Sequence, residues 1–240
     1  VIHPSDLVLE ERGSLRWAQV IGKDDEADAL SLFYLELARG KSPSISAGDS
    51  EAVLFVQQGC CDVSIEGREF EATAGTGVHI RAGEQFSLAN AGQQPALCLV
   101  SICPRVETLG FSGAGTGDGF DERFPQRSVS AEGRKLQATE DRFYKLLVGP
   151  AIGSESVTQF IGKIPPSKAP EHFHLYEEDI CILSGHGRMW NGDISADVEP
   201  GSMIFLPRKQ PHCLECLDEN GMELMGVFYP AGSPAINYKT

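Results

Sequence analysis

Basic residues are scarce in this sequence. Lysine and arginine number 20 against 34 aspartate and glutamate residues, so the formal net charge is −14 and the pI is near 4.8. Binding to nucleic acid or to an anionic membrane surface needs clustered basic side chains. The composition therefore argues against nucleic acid and membrane as partners.

Long apolar runs are also missing. No stretch approaches the 18 or more apolar residues that a membrane-spanning helix needs. Residues 1–9 carry acid and proline where a secretion signal has a basic start and an apolar run. We therefore expect a cytoplasmic location. The sequence begins with Val1 rather than Met, so this expectation is based only on the residues from Val1 onward.

The cysteines do not form a disulfide pattern. They number seven and are irregularly spaced, and a chain of this length can bury a core without cross-links. We interpret most of them as reduced, buried small side chains. Cys213 and Cys216 have CxxC spacing, but no second pair completes a zinc site, and residues i and i+3 of a strand face opposite sides.

Helical periodicity is nearly absent, and residues 130–141 form the most plausible short helix. Short apolar segments such as Val53 to Val56 and Ile180 to Leu183 recur instead, separated by glycine and proline. Strands spaced roughly ten residues apart are typical of sandwiches and barrels. The sequence therefore predicts an all-β fold.

The two halves of the sequence share one pattern. Residues 53–59 match residues 179–185, and residues 73–80 match residues 199–206. Five of the ten residues at 110–119 are glycine, a flexible-linker composition. We therefore predict a duplication, with an N-terminal barrel at residues 1–109, a linker at 110–123 and a C-terminal barrel at 124–240.

Three side chains that commonly bind metals lie close together in the second half. His172 and His174 are two residues apart, so on a strand they face the same side, and Glu178 has the same parity. Imidazole and carboxylate groups suit a divalent transition metal. The alternative is that these residues serve packing or surface solubility.

This stretch resembles the first motif of the cupin family. His172-Phe173-His174 is followed after three residues by Glu178 and after six more by Gly185, as the motif HxHx3Ex6G requires. The leading glycine departs from the pattern, because nine residues rather than five separate Gly162 from His172. The departure indicates a longer loop before the motif and leaves the ligands intact.

The second cupin motif, in the form PGx5Px4H, matches Pro200-Gly201, Pro207 and His212. Together with the duplication, the two motifs make the chain similar to a two-domain cupin, or bicupin. The resemblance implies two tandem cupin (double-stranded β-helix, jelly-roll) barrels. It also implies one ion in the C-terminal barrel, bound by His172, His174, Glu178 and His212.

The identity of that ion is not fixed, because this ligand set suits Fe(II), Mn(II), Ni(II) or Zn(II). Four protein ligands on an octahedral ion leave two positions for water, substrate or O2. Beyond the ligands, no catalytic residue is assigned.

The N-terminal copy lacks the ligands. Residues 46–50 read Ser-Ala-Gly-Asp-Ser where the two histidines would stand, Glu51 lies near the position of the ligand carboxylate, and Phe86 aligns with His212. His79 aligns with Phe205 rather than with a ligand. We therefore predict that this half holds no metal and is structural or interface-forming, and the resemblance implies a homodimer.

Four further residues are candidates for the substrate pocket: Tyr176, Arg188, Trp190 and Gln159. Arg188 and Trp190 share parity and could bind a carboxylate and stack on a ring, or be a surface arginine beside a core tryptophan. Tyr176 could donate to a metal-bound species or pack in a loop. Gln159, with Lys163, precedes the motif on a strand that could face the same cavity.

Acidic residues flank the ligands at Glu171, Glu177 and Asp179. Metal-ligating histidines usually donate their second ring N–H to a carboxylate or a carbonyl. One of these acids could therefore orient a ligand imidazole, while the others face water.

The leading hypothesis is a metal-dependent enzyme that acts on a small polar organic molecule, most plausibly an Fe(II) dioxygenase. The second is a Mn(II)- or Zn(II)-dependent isomerase, lyase or decarboxylase, in which the ion acts as a Lewis acid. The third is a non-catalytic protein that binds a metal or a small molecule. The sequence does not identify the substrate, because fold does not fix function.

Overall fold

The computed structural model describes residues 1–112, 119–139, 142–235 and 238–239. These residues form β-strands and three single turns of 3-10 helix, at Pro4–Asp6, Lys23–Asp25 and Pro150–Ile152. Within the described ranges there is no α-helix, and hence none with the length and apolar character needed to cross a bilayer. The predicted all-β fold is confirmed.

The strands of the first half form two antiparallel sheets. One has the order β1-β2-β3-β11-β6-β9-β13, and the other has the order β12-β5-β10-β7-β8 with β4 also beside β10. The strands are β1 Glu10–Arg12, β2 Leu15–Ile21, β3 Ser31–Leu37, β4 Gly40–Lys41, β5 Ser44–Ser46, β6 Glu51–Gln58, β7 Cys60–Ile65, β8 Arg68–Thr73, β9 Thr76–Ile80, β10 Gln85–Asn90, β11 Ala96–Cys103, β12 Gly110–Ser112 and β13 Ser128–Ser130.

The strands of the second half form a larger sheet of order β14-β15-β16-β24-β19-β22, a four-stranded sheet of order β17-β23-β20-β21, and a two-stranded pair β18-β25. The strands are β14 Gln137–Thr139, β15 Arg142–Val148, β16 Thr158–Ile164, β17 Ser167–Lys168, β18 His172–Phe173, β19 Glu177–Ser184, β20 Gly187–Asn191, β21 Ile194–Val198, β22 Met203–Leu206, β23 Cys213–Cys216, β24 Met222–Tyr229 and β25 Tyr238–Lys239.

The larger sheet of each half has the same strand order. The order β1-β2-β3-β11-β6-β9 of the first half is repeated as β14-β15-β16-β24-β19-β22 in the second. In both halves the central strands are buried on both faces, so successive apolar residues point into two different cores. This architecture of facing antiparallel sheets is that of the cupin jelly roll.

Three hydrophobic clusters form the core. One lies inside the first half and includes Leu54, and one lies inside the second half and includes Ile180. The third lies between the halves, where Phe55 of β6 and Cys181 of β19 both pack. Along β6 and β19, successive residues therefore alternate: one faces the interior of its own half, and the next faces the other half.

The strand pairing of the first half extends beyond residue 109. Strand β12 pairs with β5, and β13 pairs with β9. The sheets of the first half thus include part of the predicted linker and the start of the predicted second domain. Residues 113–118 of that linker lie outside the described residues. The domain boundaries stay a prediction.

The predicted short helix at residues 130–141 is wrong where the structure describes it. Strand β13 ends at Ser130, and Gln137–Thr139 pairs with β15. Local propensity favoured a helix here, but an unpaired edge of β15 offers backbone partners that this segment takes instead. Residues 140 and 141 lie outside the described residues.

Candidate metal centre

Three short segments of the second half bring the three predicted histidine ligands together, and Glu178, the fourth predicted ligand, lies beside His174 rather than within this group. His172 lies on β18, His174 follows that strand, and His212 comes directly before β23. The backbones of His172 and His212 pair with each other, each N–H donating to the other residue's carbonyl at 3.0 and 2.8 Å. This reciprocal pair fixes the two imidazoles side by side.

The three imidazoles converge. One ring nitrogen from each of His172, His174 and His212 lies within 4.8 Å of the others. The Nδ1 atom of His172 is 3.0 Å from the carbonyl of Pro170, and that of His212 is 2.9 Å from the carbonyl of Gln210. Donation of Nδ1–H to a backbone carbonyl leaves Nε2 with its lone pair, which is the arrangement of a metal-ligating histidine.

His174 is the most enclosed of the three. Its ring stacks on Tyr176 with centroids 4.3 Å apart, and its Nε2 atom lies 3.5 Å from Oε2 of Glu178. Its buried Nδ1 atom has no hydrogen-bond partner among the described residues. The ring is therefore held by stacking rather than by a hydrogen bond at Nδ1.

Glu178 enters the site from β19, and the residue is 4% exposed. Gly226 on the neighbouring β24 makes room for it, because a Cβ there would lie 2.6 Å from the Phe160 ring and 3.1 Å from Oε1 of Glu178. Sequence analysis did not single out Gly226. The available signal was a glycine inside an apolar strand, which often marks a close approach of other groups.

Burial sets the protonation states of these groups. It lowers the pKa of His174 to about 3 and that of His212 to about 4; His172 adds to both shifts, and the hydrogen bond to Gln210 opposes the shift of His212. Burial, and to a lesser extent Asp179, raises the pKa of Glu178 to about 8. Without a cation, His174 and His212 are therefore neutral near pH 7, and the ionised form of Glu178 is disfavoured.

A divalent cation would stabilise both the neutral imidazoles and the ionised form of the buried carboxyl group. It accepts the lone pairs of neutral imidazoles and stabilises an ionised carboxylate in a buried place. Three nitrogen donors and one oxygen donor suit a mid-row transition metal. The residues present therefore fit the ion that the motifs imply.

The site opens into a cavity of about 120 Å³. His172, His174, His212 and Glu178 are part of its wall. Most of the other lining is apolar and includes Phe160, Ile164, Ile180, Met189, Leu206 and Leu214. The lining also contains Tyr176, Arg142, Lys163 and Thr139.

Two predicted pocket residues lie elsewhere. Arg188 bonds Asp197 at 2.9 Å, and Trp190 donates from Nε1 to Glu215 at 2.8 Å, on the outer face of β20. Met189, between them, lines the cavity. Arg188 and Trp190 share one face of β20, as expected, but it is the outer face and not the face that lines the cavity.

Gln159 also lies outside the cavity wall. It is fully buried, and a Cβ on Gly77 of the first half would lie 2.2 Å from its Oε1 atom. Lys163 does line the cavity and forms an ion pair with Glu223. Tyr176 lines the cavity as predicted, in stacking contact with His174.

Two of the flanking acids, Glu177 and Asp179, do not orient the imidazoles. Backbone carbonyls take that role for His172 and His212. Glu177 bonds backbone N–H groups of the first half, and Asp179 faces the same half beside Ser101. Side chains of β19 alternate, so the neighbours of Glu178 point away from the cavity.

In the first half, apolar side chains fill the corresponding interior. Phe86, which aligns with His212, is 1% exposed and packs in the core with Trp17, Phe33 and Ile45. Glu51 is the first residue of β6, as Glu177 is of β19, and it bonds the second half rather than facing this interior. Glu51, which was expected near the position of the ligand carboxylate, thus corresponds to Glu177, one residue before Glu178.

Comparison with known families supports the motif assignment. Residues 160–228 match the family model described as Cupin domain, a segment that contains all four predicted ligands. No curated protein matches the sequence. The expected resemblance is thus confirmed for a cupin domain in the second half.

Solved structures of the same fold extend over most of the chain. Ylba from E. coli has a TM-score of 0.75 at 15% identity and covers 95% of this chain and 89% of its own. Oxalate decarboxylase from Lactobacillus farciminis, in a formate complex, has a TM-score of 0.73 at 14% identity and covers 95% and 85%. Salicylate 1,2-dioxygenase from Pseudoaminobacter salicylatoxidans, with gentisate, has a TM-score of 0.67 at 12% identity and covers 84% and 69%. At these identities, the similarity shows the fold alone.

The buried carboxyls predict how the stability of the metal-free protein depends on pH. Burial raises the pKa of Glu178 to about 8 and that of Asp179 to about 7, above the values near 4 of unfolded chains. Unfolding then releases protons, so the free energy of unfolding falls as pH rises from about 6.5 to 8. At lower pH the lowered pKa values of His174 and His212 act in the opposite direction and offset this trend.

Urea unfolding of chelator-treated protein at both ends of that window measures the effect. Glu178→Gln cannot ionise, so it should reduce the fall by about 1 kcal/mol or more. An equal fall in wild type and variant would contradict the raised pKa of Glu178.

Proposed function

We propose that the chain is a two-domain cupin enzyme whose second barrel binds one divalent metal ion through His172, His174, Glu178 and His212. The observation that supports this most strongly is the convergence of three imidazoles, two of them held by backbone carbonyls, beside a buried carboxyl group. Burying these groups without a cation is costly, and a bound cation offsets that cost.

Within this proposal, the reaction is an iron-dependent oxygenation. When bound by His172, His174, Glu178 and His212, Fe(II) would activate O2, and the substrate would provide the electrons that reduce it. The cavity favours this chemistry over proton transfer. Apart from the proposed ligands, the ionisable groups of the described lining are Arg142, Lys163, Tyr144 and Tyr176. Arg142 donates to the carbonyl of Leu214 and Lys163 pairs with Glu223, whereas isomerases and lyases need a general base near neutral pKa.

The substrate in this proposal is a compact organic molecule with an apolar body and one polar end. The cavity has about 120 Å³ and a mainly apolar wall, close to the roughly 150 Å³ of an engineered apolar cavity that holds benzene. The wall excludes water from the apolar body, while the polar end reaches the ion. The small polar substrate expected from sequence is thus revised towards an apolar one. Assembly as a homodimer and a cytoplasmic location stay predictions.

The metal assignment predicts one divalent ion per chain. His174→Ala or His212→Ala removes one ligand and should weaken Fe(II) or Mn(II) affinity by about 100-fold or more. Elemental analysis and chelator competition measure this. His186→Ala is the matched control, because His186 is exposed and bonds Asp218 at 3.0 Å, away from the cluster. Wild-type affinity in the His212→Ala variant would contradict the assignment.

The oxygenase assignment predicts that O2 uptake depends on the ion. Protein loaded with Fe(II) should consume O2 with at least one member of a panel of compact aromatic and branched aliphatic carboxylates, measured with an oxygen electrode. Protein loaded with Zn(II) should consume none, because Zn(II) has no redox chemistry. Turnover of a panel member by the Zn(II) form without O2 would contradict oxygenation and favour Lewis-acid chemistry. Binding without turnover in either form would favour a binding protein.

The apolar cavity predicts ligand selectivity that is independent of turnover. Metal-loaded protein should bind benzoate more tightly than oxalate in calorimetry, because only benzoate has an apolar surface to bury. Met189→Gln should weaken benzoate binding by about tenfold, the effect of roughly 1.4 kcal/mol of lost apolar contact, and leave ion affinity unchanged. Arg188→Gln, one residue away on the outer face, is the control. Tighter binding of oxalate would contradict the apolar substrate.

A further inference from the structure

The strand that carries Glu178 has two different faces. Glu178 and Ile180 line the cavity, whereas Glu177 and Cys181 face the first half of the chain. The first half therefore supports the ligand strand β19 from behind. This contact gives a half without the predicted ligands a way to act on the metal site.

Glu177 is the main polar link across this contact. Its carboxylate is buried and accepts backbone N–H groups from Asp28 at 3.1 Å, Ala29 at 2.9 Å and Leu30 at 3.1 Å. The guanidinium of Arg208 lies 4.0 Å from the same carboxylate. Three backbone donors on one buried carboxylate hold its position closely, because leaving any of these groups unpaired would be costly.

The link acts at the first residue of β19, just before the pairing of this strand with β22 begins. Glu178 pairs with Leu206 of β22 and with Phe228 of β24, whereas Glu177 pairs with β24 only. At Glu177 the first half thus supplies the contact that β22 does not. Because Glu177 and Glu178 share a peptide bond, holding the first residue restrains the backbone position from which the second side chain extends to the opposite face.

A second carboxylate makes the reciprocal contact. Glu51, the first residue of β6, accepts the N–H groups of Glu155 at 3.0 Å and Ser156 at 3.1 Å, and the hydroxyl of Ser154 at 3.2 Å. The two links join the same two halves with similar chemistry. Strand β6 carries none of the proposed ligands, so Glu51 provides an internal control.

We propose that Glu177 is a positioning residue for the metal site, through which the first half holds the Glu178 carboxylate in place. The proposal rests on the proposed metal site. It assigns the first half a role in ion affinity beyond its contribution to stability. Glu51, which also accepts three hydrogen bonds across the interface, has no such effect on affinity.

The test compares Glu177→Gln with Glu51→Gln in the full chain. Both variants should lower stability in urea to a similar extent, because each weakens one interface link. Glu177→Gln alone should weaken Mn(II) affinity, measured by chelator competition, by about 10- to 100-fold, the usual effect of losing a group that orients a ligand. Equal Mn(II) affinities in the two variants would overturn the proposal.

Hydrogen exchange of the wild-type protein gives a second test that needs no variant. Coupling between two sites is reciprocal, so Mn(II) loading should slow exchange of the amides of Asp28, Ala29 and Leu30 more than those of Glu155 and Ser156. Equal protection of both sets would overturn the proposal. Failure of the proposed function is distinct, because wild-type protein would then bind no Mn(II) at all.

Discussion

The alternation of side chains along β19 is the constraint on which the rest of the structure depends. A pleated strand points successive residues to opposite faces, and both faces of this strand are buried. Glu178 and Ile180 face the cavity, and Glu177 and Cys181 face the other half. A shift of register by one residue would exchange these two sets, placing a ligand in the interface and an interface carboxylate in the cavity.

The same strand order serves two different purposes in the two halves. In the second half, the interior keeps a cavity beside three converging histidines. In the first, aromatic residues such as Trp17, Phe33 and Phe86 pack into the interior. Apolar packing stabilises the first half by removing large side chains from water. The second half encloses polar groups in its interior and so has less of this apolar stabilisation. It is joined to the first half by the apolar core between them and by Glu51 and Glu177, each of which bonds backbone N–H groups of the opposite half.

The fold and the ligand cluster could be predicted from sequence because both rest on local spacing. Short strands with regular punctuation indicate an all-β fold, and the spacing of His172, His174 and Glu178 sets their parity along the chain. Arg188 and Trp190 were misplaced because parity tells which residues share a face, not which face points inward. Met189 takes the inward position, and the pairing of β20 with β21 and β23 decides this.

Contacts between the halves could not be predicted from the sequence either, because local spacing does not show which distant segments pack together. The alignment gave Glu51 a position near the ligand carboxylate, yet one residue's difference assigns it to the interface. Gln159 lies against Gly77, a contact between residues far apart in the chain. Nothing in the local pattern of either segment indicates that the other packs against it.

The most direct test of the metal centre is anomalous X-ray diffraction from crystals of Mn(II)- or Fe(II)-loaded protein. The account predicts one strong anomalous peak, about 2.0–2.3 Å from Nε2 of His172, His174 and His212 and from a carboxylate oxygen of Glu178. A loaded crystal with no peak among these four side chains, or with Glu178 turned away from the ion, would contradict it.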